Sequence, residues 1–152
     1  MTDDDNRVPD HAVRMVQEFI EQHHGYLSWL GTTVEEYRHD SVVMSIPYDD
    51  KLANPNQGRT MHGGVAATLI DTAGGIALRP SLDNPTEGGV ATINLNVNYL
   101  RRAADDLTAY AEVIRAGRSV GWSRVMVESE TPEGETEAVA AGTGAYRLFQ
   151  GD

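Results

Sequence analysis

The chain contains no cysteine and one lysine, Lys51, among its 152 residues. Without thiols it can form no disulfide, use no thiolate nucleophile and hold no metal through sulfur, which fits a cytoplasmic protein. No apolar run approaches the ~18–20 residues of a transmembrane helix, so no membrane span is expected. Met1-Thr2-Asp3-Asp4-Asp5 lacks the basic start and apolar run of a secretory signal. Three catalytic signatures are also missing. There is no G-x-S-x-G elbow for a serine hydrolase and no G-x-x-x-x-G-K-[ST] phosphate loop. None of His11, His23, His24, His39 and His62 is spaced with a carboxylate as in H-E-x-x-H, so no metal site is expected.

Acidic side chains are abundant: 23 Asp and Glu against 12 Lys and Arg give a formal net charge of −11. Such a surface repels nucleic acid and anionic membrane, and neither is expected as a partner. Scarce lysine beside plentiful carboxylates points to a very salty cytoplasm, where ions screen the repulsion. With 40% apolar residues the chain can bury a core, and its length suits one domain. Residues 1–8 read as a loose, disordered acidic tail and residues 9–152 as a single domain.

Hydrophobic spacing predicts a helix over 9–23, started by Pro9 and Asp10 and ended by Gly25. Strands are expected over 26–34 and 41–47. A loop follows over 48–61, long enough in a small domain to suggest function. Residues 62–78 read as a second helix, with Val65, Ala66, Leu69, Ile70, Ala73, Ile76 and Ala77 on one broad apolar arc. Segment 90–100 alternates cleanly, which sets Ala91, Ile93, Leu95, Val97 and Tyr99 on one face and Thr92, Asn94, Asn96 and Asn98 on the other. Strands over 107–116, 119–129 and 136–149 follow, and the last four strands are expected to form an antiparallel meander. The sum is an α+β domain. One long helix cannot cover such a sheet, so a partner subunit is expected.

Two places on the long helix suit chemistry. On the side opposite Val65 and Leu69, Asp71 stands among Ala67, Thr68, Gly74 and Gly75. Paired glycines inside a helix cost about 1 kcal/mol each, so something must approach that face closely. At the helix start, Met61-His62-Gly63-Gly64 leaves backbone N–H groups free where the helix dipole is positive. Such donors suit an oxyanion and equally a phosphate. His62 is either a helix cap or a functional side chain.

Asn56-x5-His62-Gly63-Gly64-x6-Asp71, within this order of elements, resembles the hot-dog-fold thioesterases of the phenylacetate-degradation (PaaI-like) group. The likeness continues through residues 90–100, through Gly117-Arg118-Ser119 and through Ala140-Ala141-Gly142-Thr143-Gly144. The resemblance implies a sheet of five to six antiparallel strands wrapped around the long helix, with an extra helix at the N-terminus. It implies an acyl-CoA thioesterase whose site lies between two subunits of a homodimer, with a dimer of dimers as the expected assembly. Carried over by motif, Asp71 is general base or nucleophile and the Gly63 N–H polarises the thioester carbonyl. Asn56 and His62 hold the loop and contact the thioester, and Thr92 steadies the water or the carboxylate.

Coenzyme A is then part of the substrate and no cofactor is required. Gly64, Met61, Leu69 and Ile70 are expected beside the acyl group, and a cluster of Arg101, Arg102 and Arg118 is expected to hold the coenzyme's phosphates. The family often has proline and glycine where this chain has Arg102 and Asp105. Two other readings of the same residues are an acyl-thioester hydratase or dehydratase, with His62 as proton shuttle, and a non-catalytic acyl-thioester-binding protein.

Overall fold

The computed structural model describes residues 3–152. The stretch read as a loose tail is therefore described from residue 3, and residues 1 and 2 lie outside the described residues. Asp3–Asn6 form a single 3-10 turn, Arg7 bridges to Arg38, and Val8 reaches the core. Helix α1 (Asp10–Glu18) continues through a wider turn over Phe19–His23, and Gly25 ends it at φ +74°.

The next segment departs from expectation. Tyr26–Trp29, read as the start of a strand, is one helical turn, α2, and strand β1 (Thr33–Tyr37) begins later. Local turn chemistry outweighs the strand preference of Tyr26 and Trp29 here. Gly25 and Gly31 flank the turn at positive φ. Ser28 Oγ accepts from the His24 N–H at 3.1 Å and donates to the Ile20 carbonyl at 2.8 Å, which ties the turn to the end of the first helical segment.

The remaining strands are β2 (Ser41–Ile46), β3 (Gly89–Tyr99), β4 (Leu107–Ala116), β5 (Val120–Glu130) and β6 (Thr136–Phe149). They form one six-stranded antiparallel sheet in the order β1-β2-β4-β5-β6-β3. The expected four-strand meander holds only for β4, β5 and β6. β3 pairs with β6, and β4 lies beside β2. The segment 100–106 is a crossing rather than a hairpin turn. It is held on its way by the Met61 N–H donating to Ala103 at 2.9 Å and the Ala104 N–H donating to Glu130 at 2.8 Å. β3 consequently ends as an edge strand.

Helix α3 (Gly63–Leu78) crosses the concave face and packs on β2 to β6. Val65, Ala66, Leu69, Ile70, Ala73, Ala77 and Leu78 are buried against the sheet. This is the hot-dog fold, with an N-terminal helix added. Small inward residues on β6, Ala140, Gly142 and Gly144, let the helix sit close. Four hydroxyls from four strands then donate to helix carbonyls: Tyr99 to Gly63 at 2.8 Å, Tyr146 to Asp71 at 2.9 Å, Ser123 to Gly74 at 2.8 Å and Tyr37 to Ile76 at 2.9 Å. Each such bond contributes on the order of 1 kcal/mol. Together they fix the helix in rotation as well as depth, because they reach it at both ends and from different sides.

Candidate active site

The start of α3 is built by the preceding loop. The loop closes on itself through the Ala53–Met61 bridge, and the His62 N–H donates to Leu52 at 2.8 Å. Asn56 is the one non-glycine residue with positive φ among the described residues, at +62°, a conformation asparagine tolerates better than most. His62 is the N-cap: its Nδ1 accepts from the Gly64 N–H at 2.8 Å. A Cβ on Gly64 would lie 2.9 Å from that nitrogen, so a side chain there would break the cap. Of the two glycine N–H groups expected to be free, that of Gly64 is therefore spent on His62. Gly63 N–H has no acceptor among the described residues and remains the available donor at the positive end of the helix.

Two turns on, Asp71 lies on the face of α3 that the sheet leaves open. Thr92 Oγ1 donates to its Oδ1 at 2.6 Å. Simple alternation along β3 would have turned Thr92 away from the residues that pack on α3. Instead the β3–β6 register shifts between Thr92 and Asn94, a bulge at Ile93. Before the bulge Val90 and Thr92 face the helix; after it Leu95, Val97 and Tyr99 do. One extra residue thus lets an edge strand place a hydroxyl at Asp71 and still fill the core beyond it.

Behind Asp71 stands Tyr146, 1% exposed, with its hydroxyl on the Asp71 carbonyl. Burial first, and the neighbouring Asp71 charge second, push its phenol well above the ordinary tyrosine range. The ring occupies a slot cut by glycines. A Cβ on either Gly74 or Gly144 would lie 2.3 Å from its hydroxyl. This answers what approaches the paired glycines: for Gly74 it is the Tyr146 hydroxyl, whereas a Cβ on Gly75 would make ordinary contact at 3.4 Å. Asp71, Thr92, Gly75, Val90, Arg79 and Tyr146 line one small open cleft.

Other expected site residues fall elsewhere. Met61, Leu69 and Ile70 are fully in the core on the sheet side of α3, so they offer this chain's cleft no surface. The helical period accounts for this placement: Leu69 and Ile70 are two and one residues before Asp71 and so point well away from it. Arg102 donates to the Gln57 carbonyl at 2.6 Å and to Thr60 Oγ1 at 2.5 Å, bracing the loop before α3. Arg101 pairs with Glu137 at 3.1 Å, near the same end. Arg118 pairs with Asp83 at 2.6 Å, beyond the other end of α3. A helix of this length separates its ends by about 22 Å, so the three arginines do not cluster within one chain. Asn56 hydrogen-bonds neither Asp71 nor Gly63.

The sequence reading missed Tyr146, Tyr99 and Arg59. Arg59 stacks on the Tyr48 ring at 3.8 Å and pairs with Asp105 at 3.2 Å, a contact that, after the Asp106 N–H, helps hold that carboxyl below its usual range. For Tyr146 a signal existed: Gly142-x-Gly144-x-Tyr146 on one strand face, set against two glycines in a helix, marks a slot with its occupant.

A long central helix in an antiparallel sheet, a glycine N–H at its start and a carboxylate on its open face define a class. The chain belongs to the thioesterase superfamily, whose family model matches residues 58–136. Thioester hydrolysis is the activity of that family. A presumptive esterase of Halobacterium salinarum is 44% identical over 146 residues, covering 94% of this chain and 96% of that protein. The medium/long-chain acyl-CoA thioesterase YigI of Escherichia coli is 26% identical over 151 residues, 91% of this chain and 95% of its own length. Among solved structures, a thioesterase family protein from Silicibacter pomeroyi superposes with a TM-score of 0.77 at 26% identity, over 93% of this chain and 99% of that one. No helix among the described residues is long and apolar enough to cross a membrane.

Proposed function

We propose that this protein is an acyl-CoA thioesterase whose sites form between two antiparallel copies of α3. The observation that carries the reading is the Thr92–Asp71 hydrogen bond at 2.6 Å, on the one face of the helix left open. It occupies Oδ1 and leaves Oδ2 to take a proton from water as general base. The attacked carbonyl becomes an oxyanion, which receives the Gly63 N–H. The tetrahedral intermediate then expels coenzyme A as a thiolate, a leaving group stable enough to need no dedicated acid. Gly63 and Asp71 are separated by about 12 Å along their own helix, too far for one thioester carbonyl. Pairing with a second chain brings one chain's Gly63 beside the other's Asp71.

The open edge of β3 supports a homodimer joined strand to strand. The exposed Tyr110, Ile114, Trp122 and Met126 on the strands support a further stacking of dimers into a tetramer. In that dimer Arg118 of one chain approaches the end of α3 beside which Arg101 and Arg102 of the other lie, which supports a shared phosphate site. The Escherichia coli relative supports a medium or long acyl chain, and the Asn56-to-Asp71 spacing supports a place in the phenylacetate-degradation group. The test is thiol release from a panel that includes octanoyl-, lauroyl- and phenylacetyl-CoA, with wild type and Asp71→Asn. Wild type should release thiol, and Asp71→Asn should be slower by roughly 10²–10⁴-fold. Near-normal turnover by the variant would reject the assignment of Asp71, and no release by the wild type would reject the activity.

A further inference from the structure

We propose that Tyr26 selects the acyl group by length, its ring forming the outer wall of the acyl channel on the open face of α3; the inference rests on the acyl-CoA reading above. Tyr26 opens α2, and its Oη lies 2.8 Å from Thr68 Oγ1. Thr68 spends its own hydrogen on the Gly64 carbonyl at 3.0 Å, so the phenol is the donor and Thr68 the acceptor. The chain Tyr26–Thr68–Gly64 therefore fixes the ring by its outer end.

Thr68 stands one turn after Gly64 and one turn before Asp71. The ring is thereby held over α3 between the oxyanion donor of the helix start and the carboxylate. The opposite flank belongs to β3, which reaches Gly63 through Tyr99 and Asp71 through Thr92. A thioester lying along the open face of α3 thus has β3 on one side and Tyr26 on the other. Tyr26 is no core residue: it is 54% exposed, although its hydroxyl is anchored. An anchored aromatic with a bare face offers methylenes an apolar surface of fixed position. Phe19, edge-on to His24 at 5.5 Å, is another exposed apolar side chain of the same N-terminal segment, and Met15 another. With the Tyr26 ring gone, a longer chain has apolar surface to follow.

The experiment measures binding by calorimetry of non-hydrolysable thioether analogues of acyl-CoA, from butyryl to palmitoyl, to full-length wild type, Tyr26→Ala, Tyr26→Phe and Tyr26→Trp. Thiol release from the corresponding thioesters is followed in parallel. Tyr26→Ala should move the preferred length upward by about two carbons, each newly buried methylene adding about fourfold in affinity. Tyr26→Trp should move it downward, and Tyr26→Phe, which keeps the ring but loses its anchor on Thr68, should broaden the range of lengths accepted. A general loss of structure would weaken all lengths alike, so opposite shifts separate selection from damage. Should Tyr26→Ala fail to fold, the downward shift in Tyr26→Trp carries the test alone. An optimum unchanged in folded Tyr26→Ala and Tyr26→Trp, or no analogue bound by the wild type, overturns the proposal. Binding with the expected shifts but no thiol release would sustain it while rejecting hydrolysis, and thiol release with an unmoved optimum would do the reverse.

Discussion

Gly74 and Gly75 are neighbours in one helix, yet alanine should act on them with opposite sign. Propensity alone favours alanine at either site by about 1 kcal/mol. At Gly75 the added Cβ would meet Tyr146 Cε1 at 3.4 Å and Val90 Cγ1 at 3.6 Å, ordinary contacts. Gly75→Ala should therefore gain up to about 1 kcal/mol. At Gly74 the Cβ would fall 2.3 Å from the Tyr146 hydroxyl, which has little room to retreat: it is tied to the Asp71 carbonyl, and the Gly144 backbone on its other side is close enough that a Cβ there would also fall 2.3 Å from it. The ring must shift, losing a hydrogen bond worth about 1 kcal/mol and adding overpacking of about 1–3 kcal/mol. Against the propensity gain, Gly74→Ala should lose about 1–3 kcal/mol net. Removing the hydroxyl should restore much of this. In Gly74→Ala/Tyr146→Phe the nearest remaining ring atom is Cζ at 3.1 Å, a few tenths of an ångström too close. Urea unfolding at matched protein concentration, read as midpoints with unchanged slope, measures Gly75→Ala, Gly74→Ala, Tyr146→Phe and the double variant. Equal stability of Gly74→Ala and Gly75→Ala, or no coupling between Gly74→Ala and Tyr146→Phe, would refute the slot.

Mixed dimers of Asp71→Asn with Gly63→Val should regain activity that neither homodimer has, because one of their two sites keeps both groups; confirmed heterodimers that stay dead would remove the shared site. Single turnover in ¹⁸O-water should label the released acid and leave Asp71 unlabelled, whereas label in Asp71 by peptide mass would indicate an anhydride. Melting temperature should rise from low to molar potassium chloride as the −11 net charge is screened, and a flat series would contradict the salty-cytoplasm reading. Alkaline stability follows from Tyr37 and Tyr146, whose phenols burial holds well above the ordinary value. A raised folded-state pKa stabilises fully below the unfolded value near pH ~10 and is lost as pH rises above it. Unfolding midpoints should therefore fall from about pH 10 upward, and less steeply in Tyr146→Phe.

How far the sequence could be read depended on whether each feature is local. The long helix was legible because its apolar arc and its glycine start lie within a few turns of chain, and β4, β5 and β6 were legible because short turns join them. α2 was not, since the tie between Ser28 and Ile20 is invisible to propensity. Nor was the strand order, because whether 100–106 turns back or crosses depends on contacts with Met61 and Glu130, far apart in sequence. Thr92 shows the limit most clearly. Its pattern assigned it to the polar face with Asn94, Asn96 and Asn98, while the family motif assigned it to Asp71, and both cannot hold on a regular strand. The bulge at Ile93 decides between them for Thr92, placing it on the helix side while the asparagines stay outside. Since a one-residue slip turns every later side chain over, the same bulge also sends Tyr99 inward to the Gly63 carbonyl. A regular strand of these same residues, without the bulge, would have to sacrifice either the Thr92–Asp71 bond or the packing of Leu95, Val97 and Tyr99. The strand's polar alternation belongs to its outer face, and its irregularity belongs to the candidate site.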